Sequence, residues 1–191
     1  KLEGEKEIIK NFPLATILRP SVVYSVDDNF TTNFMTLLNR LPFFPIYYSG
    51  KTKFTPIHCT DLTDIIYYLI SNNINSKIIE CVGPEQMTFK EVLERLLNLI
   101  NKKRMLIPFP LLLAVISAKV FQLLPNPLLT EDQLRLLKYD NILSGKYKSN
   151  SDIGSPSKKY FNDEVKKYAY MWREGGQFST EKYNPKENID N

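Results

Sequence analysis

The chain has 191 residues, a formal net charge of +4 at pH 7 and 43% hydrophobic residues. These values are ordinary for a globular protein that can bury the core of one or two domains. The longest basic run is Lys102-Lys103-Arg104. A nucleic-acid-binding protein needs a longer basic stripe with aromatic residues between the charges, so we expect no nucleic-acid partner.

The two cysteines, Cys59 and Cys81, lie in apolar stretches that predict burial. Without a secretory signal they indicate reduced thiols, and we expect a protein that is not secreted. One histidine and two cysteines cannot assemble an ordinary zinc site, so we expect no metal. The chain begins with Lys1 and a charged amphipathic stretch that is neither a signal nor a transit peptide, and we therefore expect a truncation or a split reading frame.

The first half of the chain alternates helical and extended patterns. The predicted elements are a helix at 2–11, a buried parallel strand at 14–18, a helix at 30–40 and a loop with a hairpin at 41–54. The strand prediction rests on a continuous apolar run that ends at Arg19-Pro20. Asp27, Asp28 and Asn29 precede the second helix and supply its N-cap.

The remaining predicted elements are an extended stretch at 57–59, a helix capped by Thr60, strands at 77–82 and 105–107, a helix capped by Thr88, and helices at 109–124, 130–138 and 159–171. The last hundred residues are therefore predicted to be mostly helical and to form a smaller appended lobe. Strands that alternate with helices predict an α/β fold with parallel pairing. The tail at 179–191 is too polar to pack against a core.

Two stretches have competing interpretations. The apolar segment 105–124 predicts a core helix, and the alternative is a surface that docks on a membrane or a protein partner. His58, Asp61 and Ser21 could be drawn as a hydrolytic triad, but the sequence has no nucleophile elbow. We interpret His58 as a half-buried packing residue and Asp61 as a carboxylate in the first turn of a helix.

Several short sequence motifs, in their order and spacing, resemble those of a known family. They are Gly4-Glu5, the run Thr16–Tyr24, Asp28-Asn29-Phe30, Lys53–Asp61, Glu80–Glu85 with Thr88, Leu41-Pro42 with Pro45, Thr130–Gln133, Asp140-Asn141 and Tyr170–Phe178. Over about 1–178 the chain resembles the extended and atypical short-chain dehydrogenases, which include NAD-dependent epimerases and dehydratases. Among these it resembles most the nucleotide-binding accessory subunits of respiratory complex I (NADH:ubiquinone oxidoreductase).

The resemblance implies a fold and a division into domains. The fold would be α/β, the C-terminal part of a Rossmann-type extended short-chain dehydrogenase, with late parallel strands and a mainly helical small lobe. Residues 1–82 would complete the NAD(P)-binding domain, 83–178 would form a substrate or docking lobe, and 179–191 would be a disordered tail.

The resemblance also implies site residues. Lys1 stands where the family has the Lys of a Tyr-x-x-x-Lys pair, which binds the nicotinamide ribose and assists catalysis; the Tyr would precede this chain. Pro20, Ser21, Val22 and Val23 would lie beside the nicotinamide of NAD or NADP. The family's usual Gly after Val-Tyr is Ser25 here. The seven glycines contain no G-x-x-G-x-x-G motif, so binding should require the missing N-terminal half.

The implied function is an NAD(P)(H)-binding accessory or assembly subunit that is not catalytic by itself. Its partners would be complex I subunits or the missing half, with peripheral contact to the inner membrane. It would lie on the cytoplasmic side of a bacterial inner membrane or on the mitochondrial matrix side. The alternatives are an active epimerase, dehydratase or reductase that acts on a nucleotide sugar, with Arg104 and Arg135 as candidates to hold a diphosphate, and a non-functional gene fragment.

Overall fold

A computed structural model of the chain describes residues 2–75, 77–108 and 137–178. Its α-helices are α1 (Leu2–Asn11), α2 (Thr31–Arg40), α3 (Cys59–Ser71), α4 (Phe89–Leu99) and α5 (Phe161–Ala169). Its strands are β1 (Ile17–Pro20), β2 (Val23–Tyr24), β3 (Phe43–Ile46), β4 (Lys53–Phe54), β5 (Ile57–His58), β6 (Ile78–Cys81), β7 (Met87–Thr88), β8 (Met105–Pro108) and β9 (Lys148–Ser149). The predicted α/β class is confirmed.

The largest sheet has three parallel strands in the order β1-β6-β9. Ile17 of β1 pairs with Ile78 of β6, and β9 pairs with the other side of β6. The prediction that the first strand spans 14–18 is wrong at both ends. A turn in which the amide of Ala15 donates to the carbonyl of Phe12 delays the strand, and Leu14 remains 72% exposed.

The described strands also form three short two-stranded pairs. Strands β2 and β5 pair in parallel, β3 and β8 pair in parallel, and β4 and β7 pair antiparallel. The predicted hairpin within 41–54 is therefore wrong, because β3 and β4 pair with strands far along the chain. Tyr48, Ser49 and Gly50 have positive φ angles of 51°, 54° and 66°, and this left-handed turn separates the two strands.

The ends of α3 and α4 show different caps. Helix α4 begins as predicted, with a capping box in which the hydroxyl of Thr88 accepts from the amide of Glu91, and the carboxylate of Glu91 accepts from the amide of Thr88. Helix α3 does not begin at Thr60 as predicted. It begins at Cys59 with His58 as N-cap, and Nδ1 of His58 accepts from the amide of Thr60 at 3.3 Å.

Buried apolar side chains form two clusters. The larger one joins α2, α4 and α5 with β3 and the aromatic residues Phe54 and Phe89. The smaller one lies between α3 and the parallel sheet and contains Ile57, Ile65 and Ile79. The domain boundary between 82 and 83 stays a prediction.

The predicted helix at 159–171 is α5 followed by a 3₁₀ turn at Tyr170–Trp172, and the predicted strand at 105–107 is β8. The predicted helix at 109–124, most of the one at 130–138, Arg135 and the tail at 179–191 lie outside the described residues. Across the described ranges, no helix is long and apolar enough to cross a membrane.

Candidate cofactor site

The segment Pro20–Val23 lies at the carboxyl end of β1. Strands β1, β6 and β9 are parallel, so their carboxyl ends share one edge of the sheet. In open α/β sheets, ligands bind in the crevice outside this edge. Pro20 pairs with Cys81, the last residue of β6, and the chain then leaves the sheet. The structure therefore places the four predicted residues together, at the edge where a nucleotide is expected.

Long-range hydrogen bonds fix the backbone of this segment. The amide of Ser21 donates to the carbonyl of Cys81 at 2.9 Å. Its buried hydroxyl donates to the carbonyl of Asn141 at 2.9 Å and accepts from the amide of Thr55 at 3.3 Å. The carbonyl of Val22 accepts from the amide of Ile57 at 2.9 Å. Ser21 thus holds the turn in place and has its hydroxyl engaged on both sides.

A second asparagine supports the same edge of the sheet. Asn150 is 1% exposed. Its Oδ1 accepts from the amide of Val82 at 3.0 Å, and its Nδ2 donates to the hydroxyl of Ser157 at 3.1 Å. Sequence reasoning missed Asn150. Its only sequence signal is an Asn in a Ser-rich stretch, which indicates a loop and not a buried bond.

Arg19 links β1 to helix α1. Its Nη2 lies 2.5 Å from Oε2 of Glu5, and its Nε donates to Oε1 at 3.2 Å. Its guanidinium also stacks 4.6 Å above the ring of Tyr147. The hydrogen bond from Arg19 lowers the pKa of Glu5. This two-pronged ion pair holds α1 against the strand that carries the candidate site. Glu5 and Arg19 lie 14 residues apart in the sequence, and no local pattern predicts their contact.

Lys1, the other predicted site residue, is outside the described residues, so its position and its role stay predictions. The helix that follows it, α1, is held by Glu5 and Arg19. Among the described residues no group of His, Cys, Asp and Glu could hold a metal ion. Burial raises the pKa of Cys81 to about 11, and that thiol is therefore protonated at neutral pH.

A second polar cluster joins β5 and α3 to α5. Nε2 of His58 lies 3.9 Å from Oε2 of Glu164, and Glu164 also pairs with Lys159 at 3.6 Å and Lys167 at 2.6 Å. The ring of His58 meets the ring of Tyr24 edge-on, with centroids 5.2 Å apart. Burial is the main cause that lowers the pKa of His58, which is consistent with a packing residue.

The hydrolytic triad is not formed. Nδ1 of His58 accepts from the amide of Thr60. Oδ2 of Asp61 accepts from the amides of Lys158 and Lys159 at 3.1 and 2.9 Å, so Asp61 anchors the loop before α5. The hydroxyl of Ser21 bonds to Asn141 and Thr55. The three side chains serve separate structural roles.

Comparisons with known proteins give a consistent result. No family model matches the chain. It is 25% identical over 187 residues to NADH dehydrogenase [ubiquinone] 1 alpha subcomplex subunit 9, mitochondrial, of Arabidopsis thaliana, across 92% of the chain and 46% of that protein. It is 24% identical over 156 residues to the NADH-ubiquinone oxidoreductase 40 kDa subunit, mitochondrial, of Neurospora crassa, across 81% of the chain and 40% of that protein. The chain therefore spans less than half the length of these relatives.

Among solved structures, the fold resembles that of the UDP-glucose 4-epimerase of Thermus thermophilus in complex with NAD. The TM-score is 0.58 with 15% identity, over 90% of this chain and 50% of the epimerase. At that identity the likeness shows the fold alone. The predicted resemblance is confirmed: the chain is similar in sequence to subunits of NADH-ubiquinone oxidoreductase, and its fold is similar to the Rossmann-type fold of an NAD-bound dehydratase and an NAD-bound epimerase.

Proposed function

We propose that this chain is part of an NAD(P)(H)-binding accessory or assembly subunit of NADH:ubiquinone oxidoreductase and is not catalytic by itself. The observation that carries the proposal is the similarity over 92% of the chain to a complex I subunit. The location of Pro20–Val23 at the carboxyl edge of the parallel sheet supports nucleotide binding, because ligands of such sheets bind there.

We propose that residues of this chain hold one end of a dinucleotide. In the proposal, Lys1 binds the nicotinamide ribose and the backbone near Val22 and Val23 receives the carboxamide. Ser21 keeps this turn in place through Asn141 and Thr55. The cradle for the pyrophosphate would come from a segment that precedes Lys1 in the parent protein, since the 191-residue chain has no glycine-rich turn of the kind that binds phosphate at a helix N-terminus. A bound dinucleotide would supply redox chemistry in an enzyme and structural support here.

The proposed partners are complex I subunits and this preceding segment. The lobe proposed for 83–178 would dock on neighbouring subunits, with peripheral contact to the inner membrane. The names of the relatives place them in mitochondria. The proposed position is the matrix side of the mitochondrial inner membrane or the cytoplasmic side of a bacterial inner membrane, and these names support only the mitochondrion.

An active nucleotide-sugar epimerase or dehydratase is the second candidate, favoured by the likeness to UDP-glucose 4-epimerase. A diphosphate substrate would need a free arginine. Arg104 is a poor choice because its guanidinium already donates to the carbonyls of Leu38, at 3.1 Å, and Asn39, at 3.3 Å. Its role in the structure is to bind the end of α2.

Calorimetry with NADH and NADPH tests the proposal. The 191-residue chain alone should show no binding tighter than about 10 µM, equivalent to about −7 kcal/mol. Co-expression with the preceding segment should give binding that Lys1→Ala weakens by about 1–2 kcal/mol, the scale of one charge-assisted hydrogen bond. Lys6→Ala, on an exposed part of α1, is the matched control and should change nothing.

Two outcomes would contradict the proposal. Tight nucleotide binding by the chain alone would show that the site is misplaced. Turnover of a nucleotide sugar that is lost in Lys1→Ala would favour the enzyme.

We also expect that deletion of residues 105–140 abolishes co-purification with complex I subunits and spares much of the nucleotide affinity.

A further inference from the structure

Strands β3 and β8 form a parallel pair with one apolar face turned outward. Phe43 pairs with Met105 and Pro45 with Ile107. Phe44 and Ile46 are buried, and Leu106 packs against the larger core cluster. Because side chains alternate along a strand, the other set points away from the core. Phe43 is 55% exposed, Met105 71% and Ile107 37%. We call Phe43, Pro45, Met105 and Ile107 the outer face.

The outer face is unusual for this kind of pairing. Parallel strands are normally covered on both faces, and large contiguous apolar patches mark interaction sites on folded proteins. A cover of apolar or amphipathic chemistry is therefore expected on this face.

Basic residues lie at one end of the outer face. Parallel pairing brings the residues before Phe43 and before Met105 to the same end, and these include Arg40 and Lys103, both exposed. Arg104, which directly precedes β8, donates hydrogen bonds to the carbonyls of Leu38 and Asn39 near the end of α2. It therefore links the segments that precede the two strands.

The stretches of sequence around the two strands lack acidic residues. Neither 29–60 nor 95–108, the stretches that contain the two strands, holds any Asp or Glu. Glu174, which follows the 3₁₀ turn after α5, does reach this end: its Oε2 lies 3.5 Å from Nζ of Lys102. Among the described residues, Arg40 and Lys103 are the exposed basic side chains at this border.

We propose that the outer face, with Arg40 and Lys103 at its border, docks on an anionic lipid surface. Exposed apolar side chains beside Lys and Arg suit the boundary between headgroups and acyl chains, where basic residues are attracted to anionic lipids. Phe, Met and Arg are also enriched in protein interfaces, whereas Lys is depleted there, so a protein partner is one of the outcomes that the test below distinguishes. This proposal deepens the proposed function. It rests on that function only for the identity of the membrane, which would be the one that contains complex I.

Co-sedimentation of the 191-residue chain with vesicles tests the proposal. The chain should bind mixed phosphatidylcholine–phosphatidylglycerol vesicles, should not bind pure phosphatidylcholine vesicles, and should bind less at high salt. The double variant Phe43→Glu/Met105→Glu should reduce the partition coefficient by about tenfold or more. Ile70→Glu is the matched control, since Ile70 on α3 is also 71% exposed, and it should leave binding within about twofold.

The charges are tested separately. Arg40→Ala/Lys103→Ala should reduce binding to the mixed vesicles by about tenfold or more, because each basic residue near an anionic surface contributes to the attraction. Lys6→Ala/Lys10→Ala, on exposed positions of α1, should not. Circular dichroism melts verify that each variant keeps the wild-type fold.

Several results would overturn the proposal. They are equal binding to both vesicle types, no binding to either, or the same loss in the control variants. Concentration-dependent self-association that Phe43→Glu/Met105→Glu removes would assign the outer face to a second copy. Retention of complex I subunits without lipid binding would assign it to a protein. Neither of these two outcomes changes the nucleotide titrations. Failure of the lipid-docking proposal can therefore be distinguished from failure of the proposed function.

Discussion

His58 is the single histidine of the chain, so a titration between about pH 5 and 7 belongs to one known residue. Burial, the largest cause, lowers its pKa, while the nearby Glu164 acts in the opposite direction. For Glu164 burial acts to raise the pKa, but the hydrogen bond from Lys167 and the charges of Lys167, Lys159 and His58 outweigh it, and the pKa is lowered. Both shifts affect the dependence of stability on pH.

The direction of that dependence follows from proton binding. Below its ordinary pKa of about 6.5, His58 takes up a proton in the unfolded chain more readily than in the folded one. The free energy of unfolding should therefore fall as pH drops below about 6.5, and fall further as pH drops through the lowered pKa of Glu164. We predict that His58→Gln flattens the upper part of this profile. Urea unfolding at closely spaced pH values measures it, and an unchanged slope would contradict the assignment.

Gly83 makes a close backbone contact just after β6. Its amide donates to the carbonyl of Thr55 at 3.2 Å, and a Cβ at this position would overlap the carbonyl oxygen of Pro56. We predict that Gly83→Ala lowers the free energy of unfolding by about 3 kcal/mol or more, since the backbone must move. Gly4→Ala is the control: no atom lies within 4 Å of its Cβ position, and α1 should gain about 0.5–1 kcal/mol. Chemical denaturation of both variants checks the pair.

At the scale of elements, the caps of α3 and α4 separate what the sequence predicts from what it does not. Near the start of each helix the sequence has a Thr with an acidic residue after it, Asp61 one position after Thr60 and Glu91 three positions after Thr88. Only Thr88 forms the capping box, because His58 takes the cap position of α3. The sequence pattern alone does not reveal this, since Tyr24 and Glu164, which surround His58, are distant in sequence.

This difference gives a direct test. Thr88→Ala should cost about 1 kcal/mol of unfolding free energy, because the amide of Glu91 loses its acceptor. Thr60→Ala should change stability by no more than about 0.5 kcal/mol, as expected for an exposed residue without a capping role. Denaturation midpoints of the two variants measure both effects. Equal losses would mean that Thr60 caps α3 after all.

At the scale of the whole molecule, a second group of apolar side chains is exposed near β1. Phe12 is 69% exposed, Leu14 72% and Ile70 71%. A groove of about 180 Å³ lies between α3 and β1, lined by Thr16, Leu18, Ile66, Leu69, Ile70, Ile74 and Asn75. Among the described strands, β1 pairs on one side only. The open edge of β1 and the exposed apolar groove beside it do not contribute the stabilisation that they would give if they were buried.

We therefore predict modest stability for the 191-residue chain. Thermal unfolding followed by circular dichroism should show a broad transition at low temperature. Co-expression with the segment that we propose precedes Lys1 should sharpen it and shift it upward. A sharp transition of the chain alone above about 60 °C, the upper range of mesophilic domains, would instead indicate a self-sufficient domain.

The sequence predicts the fold better than it predicts the site. Periodic apolar patterns identify α1, α2, α4 and β6 because those signals are local. The turn at Pro20–Val23 is held in place by hydrogen bonds of Ser21 with Asn141 and Thr55. No local sequence pattern connects Ser21 with these two partners. The left-handed turn at Tyr48–Gly50 likewise has no β-hairpin signature, so the pairing of β3 with β8 could not be predicted.

The bond between Ser21 and Asn141 spans 120 residues, and this has a consequence for biosynthesis. A ribosome adds about 5–20 residues per second, so roughly 6–24 s pass between the synthesis of these two partners. During that time the Pro20–Val23 turn lacks one of its hydrogen bonds, and strand β6 lacks β9. Contacts so distant in sequence also slow folding after release. The turn at Pro20–Val23 is therefore completed only after Asn141 has been synthesised.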